Sequence, residues 1–310
     1  MFTTRMQRAI GVTTAILALG AGLAACGSDD SSDDSSTGDN AAAGGEITLG
    51  IIPSWTDGLT TAYLWKAVLE EEGYTVEVED IADAAPLYTG VAKGDIDVYP
   101  SAWSEITHKD YMDKYGDDLE DLGYYYEGAV LTLAVPEYSE IQSIEDLPKF
   151  ADVLDHKIIG IESGAGLTRT TKESVIPGYG LDDAGFTLVE SSTTAMLAEL
   201  SKAIKNEDEI VVTLWRPFWA NATYNVRDLE DPKGTLGQPE NLHAIATKGF
   251  SEEFPEVATM FGNFTLDDAT YGELEKAVVD ANDADGISGV EDAIDAWLKD
   301  NPDFIDSLKG

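Results

Sequence analysis

Short runs rich in β-branched residues alternate along this chain with stretches of helical periodicity. That alternation constrains the fold more than any other feature. Residues 47–52, 74–78, 96–99 and 130–135 read as strands, and 59–72, 85–93 and 111–115 read as helices. Gly73 and Gly94 stand where two of those helices should stop. Ser143, with Asp146 three residues on, reads as a helix N-terminus and begins a second group. Its strands lie at 157–161, 186–189 and 210–214, and its helix at 193–205 carries Met196, Leu197, Leu200 and Ile204 on one stripe. Residues 243–247 read as a strand returning to the first group, and the remainder is helical. Strand–helix–strand order builds sheets covered by helices, so the class is α/β. A first group that is interrupted and then resumed implies two lobes joined by two crossovers, near Pro136 and near Leu242. Lobe I is then 46–135 plus 242–310, and lobe II is 136–241.

Three tryptophans stand directly after expected strands: Trp55 after 47–52, Trp103 after 96–99 and Pro100-Ser-Ala, and Trp215 after 210–214. Ligands in open α/β sheets bind outside the carboxyl ends of strands. Three tryptophans at such ends suggest an aromatic box, although each one alone reads first as a half-buried packing residue. His108, one of three histidines, follows Trp103 within Ser101-Ala-Trp-Ser-Glu-Ile-Thr-His108. Glu162-Ser-Gly-Ala-Gly-Leu-Thr-Arg169 is a Gly-rich turn entering a helix. Free backbone N–H groups at such a start favour a carboxylate or phosphate, and Arg169 lies one turn on. A plain β–α turn is the other reading.

Composition excludes several classes. Nineteen basic residues against 59 acidic ones leave a formal net charge of −40 over 310 residues. Nucleic-acid binding needs a basic footprint, and so does charge-driven binding to anionic lipid. The histidines lie far apart and there is a single cysteine, so no metal-ligand cluster is legible. No G-x-S-x-G nucleophile motif occurs. Asp283, Asp285 and Gly286 have calcium-loop spacing, but Ala281 and Asp292 occupy the first and last ligand positions, so a polar helix–helix loop is expected. The N-terminus carries Arg5 and Arg8, an apolar run from Ala9 to Ala25, and then Leu23-Ala-Ala-Cys26. Residues 1–25 read as a signal peptide whose end resembles a bacterial lipobox, which implies lipidation at Cys26. Residues 26–45, rich in Ser, Asp and Gly, read as a disordered tether.

With the lipobox, the two-lobed order, SAWSEITH and Thr213-Leu-Trp-Arg-Pro-Phe-Trp219, the chain resembles the glycine betaine/proline betaine-binding lipoproteins of osmoprotectant ABC importers. The resemblance spans the chain from about Glu46 to the end. It implies a type II-like periplasmic-binding-protein fold with a ligand cleft between two lobes. It implies that Trp55, Trp103 and Trp215 form a prism around a quaternary ammonium group. It also implies that His108 and the backbone N–H groups of Gly166 and Leu167 hold the ligand carboxylate. Thr168 and Arg169 are further candidates in the same turn. Glu105 stands where relatives commonly carry proline.

The physics agrees with that division. A trimethylammonium group donates no hydrogen bond, so aromatic faces suit it, at roughly 2 kcal/mol for each desolvated face. Three faces give about 6 kcal/mol, while a micromolar complex needs about 8. Anchoring the carboxylate end would supply the rest. The expectation is therefore a monomeric, lipid-anchored protein on the extracytoplasmic face of the cell membrane. It has no catalytic residues, metal or cofactor, and its partners are an ABC permease and an ATPase on other chains. Choline, carnitine or proline betaine are alternative ligands. A secreted choline-ester hydrolase and a surface lipoprotein with purely structural tryptophans are the rivals from other classes.

Overall fold

The computed structural model describes residues 44–310. The expected signal segment, the lipidation site at Cys26 and most of the tether lie outside the described residues. Among the described residues nine strands form two sheets that share one long strand. In the first sheet β1 (Glu46–Ile51) lies parallel to β2 (Thr75–Asp80) and to β3 (Val98–Ala102). The long β4 (Leu119–Pro136) enters this sheet only through its first half. The second sheet contains β5 (Lys157–Ile159), β6 (Thr187–Val189), β7 (Val212–Arg216) and β8 (Val226–Asp228). There β5 runs parallel to β6 and β7, while β7 and β8 run antiparallel to β4. β9 (Glu240–Thr247) returns to the first sheet, antiparallel between β3 and β4.

The helices form where the apolar spacing demanded them. Thr56–Glu71 crosses from β1 toward β2 and buries Leu59, Leu64, Trp65 and Val68. Ala84–Lys93 ends at Gly94 with φ 73°, the left-handed cap expected there. Ser143 and Asp146 form a reciprocal capping box on Ile144–Phe150. At the C-terminus, Asp268–Asp285 and Ile287–Asp300 pack on Thr56–Glu71, joined at Gly286 in the polar loop. Among the described residues no group of side chains could hold a metal ion, and no helix is long and apolar enough to cross a membrane.

Two expectations need correction. The run at 130–135 is the second half of an 18-residue strand. Residues 119–129 pair with β9, ending at Ala129 opposite Glu240; residues 130–134 pair with β7, starting at Val130 opposite Arg216. The change of sheet thus falls six residues before Pro136, where the sequence reading put the crossover, and residues 130–135 belong with the second sheet. Register shifts across 121–129, with Gly123 and Gly128 at positive φ, break the two-residue alternation and hid the first half. Secondly, Trp215 lies within β7 rather than beyond it.

Tyr124, Tyr125 and Tyr126 lie side by side in the first half of β4. Tyr125 stacks on Phe264 at 5.3 Å, Tyr126 bonds Asp268 at 2.6 Å, and Tyr124 is exposed. All three belong to the first-sheet side.

Candidate functional site

A small cavity lies where the two sheets meet. Its lining includes Trp55, Trp103, His108, Gly166, Leu167 and Trp215. These six residues are spread over 160 positions of sequence, and the fold gathers them through strand ends. Trp55 caps the helix that leaves β1, and Trp103 directly follows β3. Gly166 and Leu167 start the helical run that follows β5. Trp215 reaches the cavity from inside β7, directly opposite Leu131 of β4, which also lines it. Thr168 and Arg169 do not line the cavity. The Thr168 hydroxyl donates to the Glu162 carbonyl at 2.8 Å, and the Arg169 guanidinium donates to the Thr107 carbonyl at 3.0 Å.

Two buried carboxylates lie behind the tryptophans, and neither was singled out from sequence. Asp57 is 1% exposed, lines the cavity, and accepts both the Trp103 indole N–H at 3.2 Å and the Ser101 hydroxyl at 2.6 Å. Burial pushes its carboxyl upward, and the bonds from Ser101 and Trp103 pull it back. Glu162 accepts the Trp55 indole N–H at 3.2 Å. Each of these two rings thus has its edge fixed by a buried carboxylate. A signal did exist for Asp57: it stands two residues after Trp55, in the first turn of a helix, where a carboxylate is favoured.

His108 is 2% exposed and stacks on Trp55, with centroids 5.9 Å apart and planes 17° apart. Its Nδ1 lies 3.1 Å from the Tyr88 hydroxyl. Burial, with Arg169 nearby, pulls its pKa down to about 3, so the ring is neutral near pH 7. In the tautomer in which Tyr88 donates to Nδ1, the ring proton sits on Nε2 as a donor. The loop that carries His108 is held by β9. Buried Glu240 accepts the Ile106 N–H at 2.9 Å, the Thr107 N–H at 3.1 Å and the Thr107 hydroxyl. Glu105 accepts from His243 at 3.1 Å and from the Asn241 side chain at 3.1 Å. Glu105 therefore ties the loop to the same strand.

Gly166 packs against Thr107 so closely that a Cβ would overlap the Thr107 carbonyl oxygen. Only glycine lets the helix start approach the loop at this distance. The first N–H groups of a helix have no intrahelical acceptor, and Gly166 and Leu167, at such a start, line the cavity. Three aromatic rings, one neutral imidazole and a helix start thus line one cavity. The other tryptophans lie outside it: Trp65 is core, stacked on Phe261 at 3.8 Å, Trp297 packs on Phe304, and Trp219 packs on Phe218 and Tyr224. His156 bonds the Ala184 carbonyl at 2.8 Å, away from the site.

Two lobes enclosing such a cavity define a periplasmic-type substrate-binding protein, with the mixed α/β sheets of the type II-like fold. The chain belongs to the family described as the substrate binding domain of ABC-type glycine betaine transport systems, whose model matches residues 45–300. A glycine betaine/carnitine transport binding protein, GbuC, of Listeria monocytogenes is 37% identical over 152 residues. That match covers 49% of this chain and 48% of GbuC, so the chain spans about half the length of this curated relative. Among solved structures, lactococcal OpuAC in its closed conformation with glycine betaine has 32% identity and a TM-score of 0.77, covering 86% of this chain and 99% of that one. An ABC-transporter choline binding protein in complex with choline has 29% identity and a TM-score of 0.74, covering 85% of this chain and 91% of that one.

Proposed function

We propose that this protein captures a quaternary-ammonium compatible solute, glycine betaine foremost, outside the cytoplasm and delivers it to an ABC permease. The observation that carries the reading is the single cavity lined by Trp55, Trp103, Trp215, His108, Gly166 and Leu167. The rings take the trimethylammonium head through their faces. The His108 Nε2–H and the Gly166 and Leu167 N–H groups take the carboxylate. This division also sets selectivity. Choline has the same head and no carboxylate, and would leave those buried donors unpaired. Anchoring through a lipidated Cys26 would keep the protein at the membrane beside its permease. Mass spectrometry of membrane-extracted protein showing an unmodified Cys26 would remove that part of the reading.

Choline is the second reading, and Asp57 favours it. A buried carboxylate in the cavity wall suits a ligand with net positive charge, and the choline-binding protein is one of the structural relatives. One Asp57 oxygen, Oδ2, takes both the Ser101 hydroxyl and the Trp103 indole N–H, which leaves less of its capacity for a ligand. Calorimetry of the soluble chain from residue 27 onward against glycine betaine, proline betaine, carnitine, choline and proline decides between them. Glycine betaine should bind at micromolar or better and ahead of choline. A preference for choline would overturn the carboxylate assignment.

A further inference from the structure

Glu162 is a buried carboxylate that touches the site without lining it. It follows β5, on the second-sheet side. Its two oxygens take four donors. Oε1 accepts the Ser54 hydroxyl at 3.3 Å and the Thr193 N–H at 2.9 Å. Oε2 accepts the Trp55 indole N–H at 3.2 Å and the Thr193 hydroxyl at 2.8 Å. Ser54 and Trp55 stand on the loop after β1, in the first lobe, whereas Thr193 opens the helix Thr193–Asn206 in the second. Each oxygen therefore joins one donor from each lobe.

The two edge-anchored tryptophans differ in this respect. Trp103 finds its acceptor, Asp57, in its own lobe, so its plane is set whatever the lobes do. Trp55 has one ring N–H, and its acceptor lies across the cleft. When the lobes part, that bond cannot persist, and Glu162 keeps only the donors of Thr193. We propose that Glu162 is a positioning residue for ligand binding: it fixes the Trp55 indole plane from the opposite lobe, so closure itself completes the aromatic box. The same bonds that aim the ring hold the closed form, and ligand and closure therefore stabilise one another. This inference rests on the ligand reading above. A bond to a carboxylate is about twice as strong as one between neutral groups, which suits a contact that must form anew at each closure.

Glu162→Gln keeps the shape and replaces one acceptor oxygen with an NH2 group that only donates, so the Trp55 indole N–H and the Thr193 backbone N–H, which bond different oxygens in the native chain, are left with a single acceptor. Binding should weaken tenfold or more for glycine betaine and choline alike, because Trp55 serves the head that both share. The betaine-to-choline ratio should hold. The test is a double-mutant cycle of Glu162→Gln with Trp55→Phe, read by calorimetry with both ligands. Phe keeps an aromatic face and lacks the N–H. Glu162→Gln should cost tenfold or more beside Trp55 and less than threefold in the Trp55→Phe background. Equal losses in both backgrounds, or no loss beside Trp55, would overturn the role. If Glu162→Gln fails to fold, Glu162→Asp serves: it keeps the charge near Thr193 but falls short of Trp55, and the same non-additivity is expected. Trp55→Ala separates the two levels. If it binds both ligands like the native chain, the aromatic box fails and this role with it. If it binds weakly while the cycle is additive, the role of Glu162 alone fails.

Discussion

An indole attracts a cation only through its face, so what matters at the scale of single residues is how each ring is turned. Asp57 and Glu162 do this by taking the edge N–H groups of Trp103 and Trp55. With three faces on one head, each Trp→Ala change at Trp55, Trp103 or Trp215 should cost about 2 kcal/mol or more, about thirtyfold in affinity, for betaine and choline equally. His108→Ala should cost about 1–3 kcal/mol for betaine and far less for choline, narrowing selectivity. Calorimetry of the four variants with both ligands checks this, and an unchanged betaine-to-choline ratio in His108→Ala would refute the carboxylate role. The same residue makes a pH prediction. Burial and Arg169 hold its pKa near 3, so the ring does not gain a proton where an ordinary histidine would. Betaine affinity should follow the same pH profile in the native chain and in His108→Gln from pH 5 to 8. An extra step near pH 6.5 in the native chain alone would contradict it.

Among the elements, the helix Asp268–Asp285 bears on the site from behind. Its Glu275 accepts the Thr56 hydroxyl at 2.5 Å, at the start of the helix that Trp55 caps. Burial pushes the Glu275 pKa from 4.5 up to about 7, the Thr56 bond opposes this, and Asp57 adds to it. Between those values the unfolded chain has released a proton that the folded chain retains. Stability contributed by this group is therefore full below pH 4.5, declines as pH rises, and is gone above about 7. The loss is on the order of 3 kcal/mol. Glu275→Gln cannot ionise and should lose that slope, gaining on the native chain as pH rises from 4.5 to 7.5. Urea unfolding at pH 4.5, 6 and 7.5 measures it, and parallel profiles for the two proteins would rule it out.

For the whole molecule, the two lobes are joined through β4 and β9, which cross together at Ala129 and Glu240. Around the cavity, bonds between lobes accumulate. Tyr111 donates to the Gly164 carbonyl at 2.7 Å, the Gly164 N–H donates to Asp83 at 3.1 Å, and Arg169 reaches the Thr107 carbonyl. Each would be lost if the lobes separated, and none alone exceeds a few kcal/mol. The balance between open and closed forms is thus within reach of a ligand's binding energy. Small-angle scattering should show compaction on saturation with glycine betaine, and little in Trp103→Ala at the same concentration. A radius of gyration unmoved by saturating ligand in the native chain would refute closure.

Much of this was legible in the sequence, for local reasons. Strand and helix periods, the stops at Gly73 and Gly94, and the capping box at Ser143 depend on residues within a few positions of one another. The candidate residues were legible because three tryptophans stand at or beside strand ends, and strand ends are where such sheets bind ligands. Tertiary structure alone decided the rest. The length of β4 was hidden because bulges at Gly123 and Gly128 break the alternation by which a strand is recognised. Asp57, Glu162 and Glu240 were passed over because the chain is crowded with acidic residues, and nothing local separates a solvated carboxylate from one buried behind an indole. That separation depends on the donors that reach it: Trp103 lies 46 residues from Asp57, Trp55 lies 107 from Glu162, and Thr107 lies 133 from Glu240. Only the folded chain brings them within hydrogen-bonding distance.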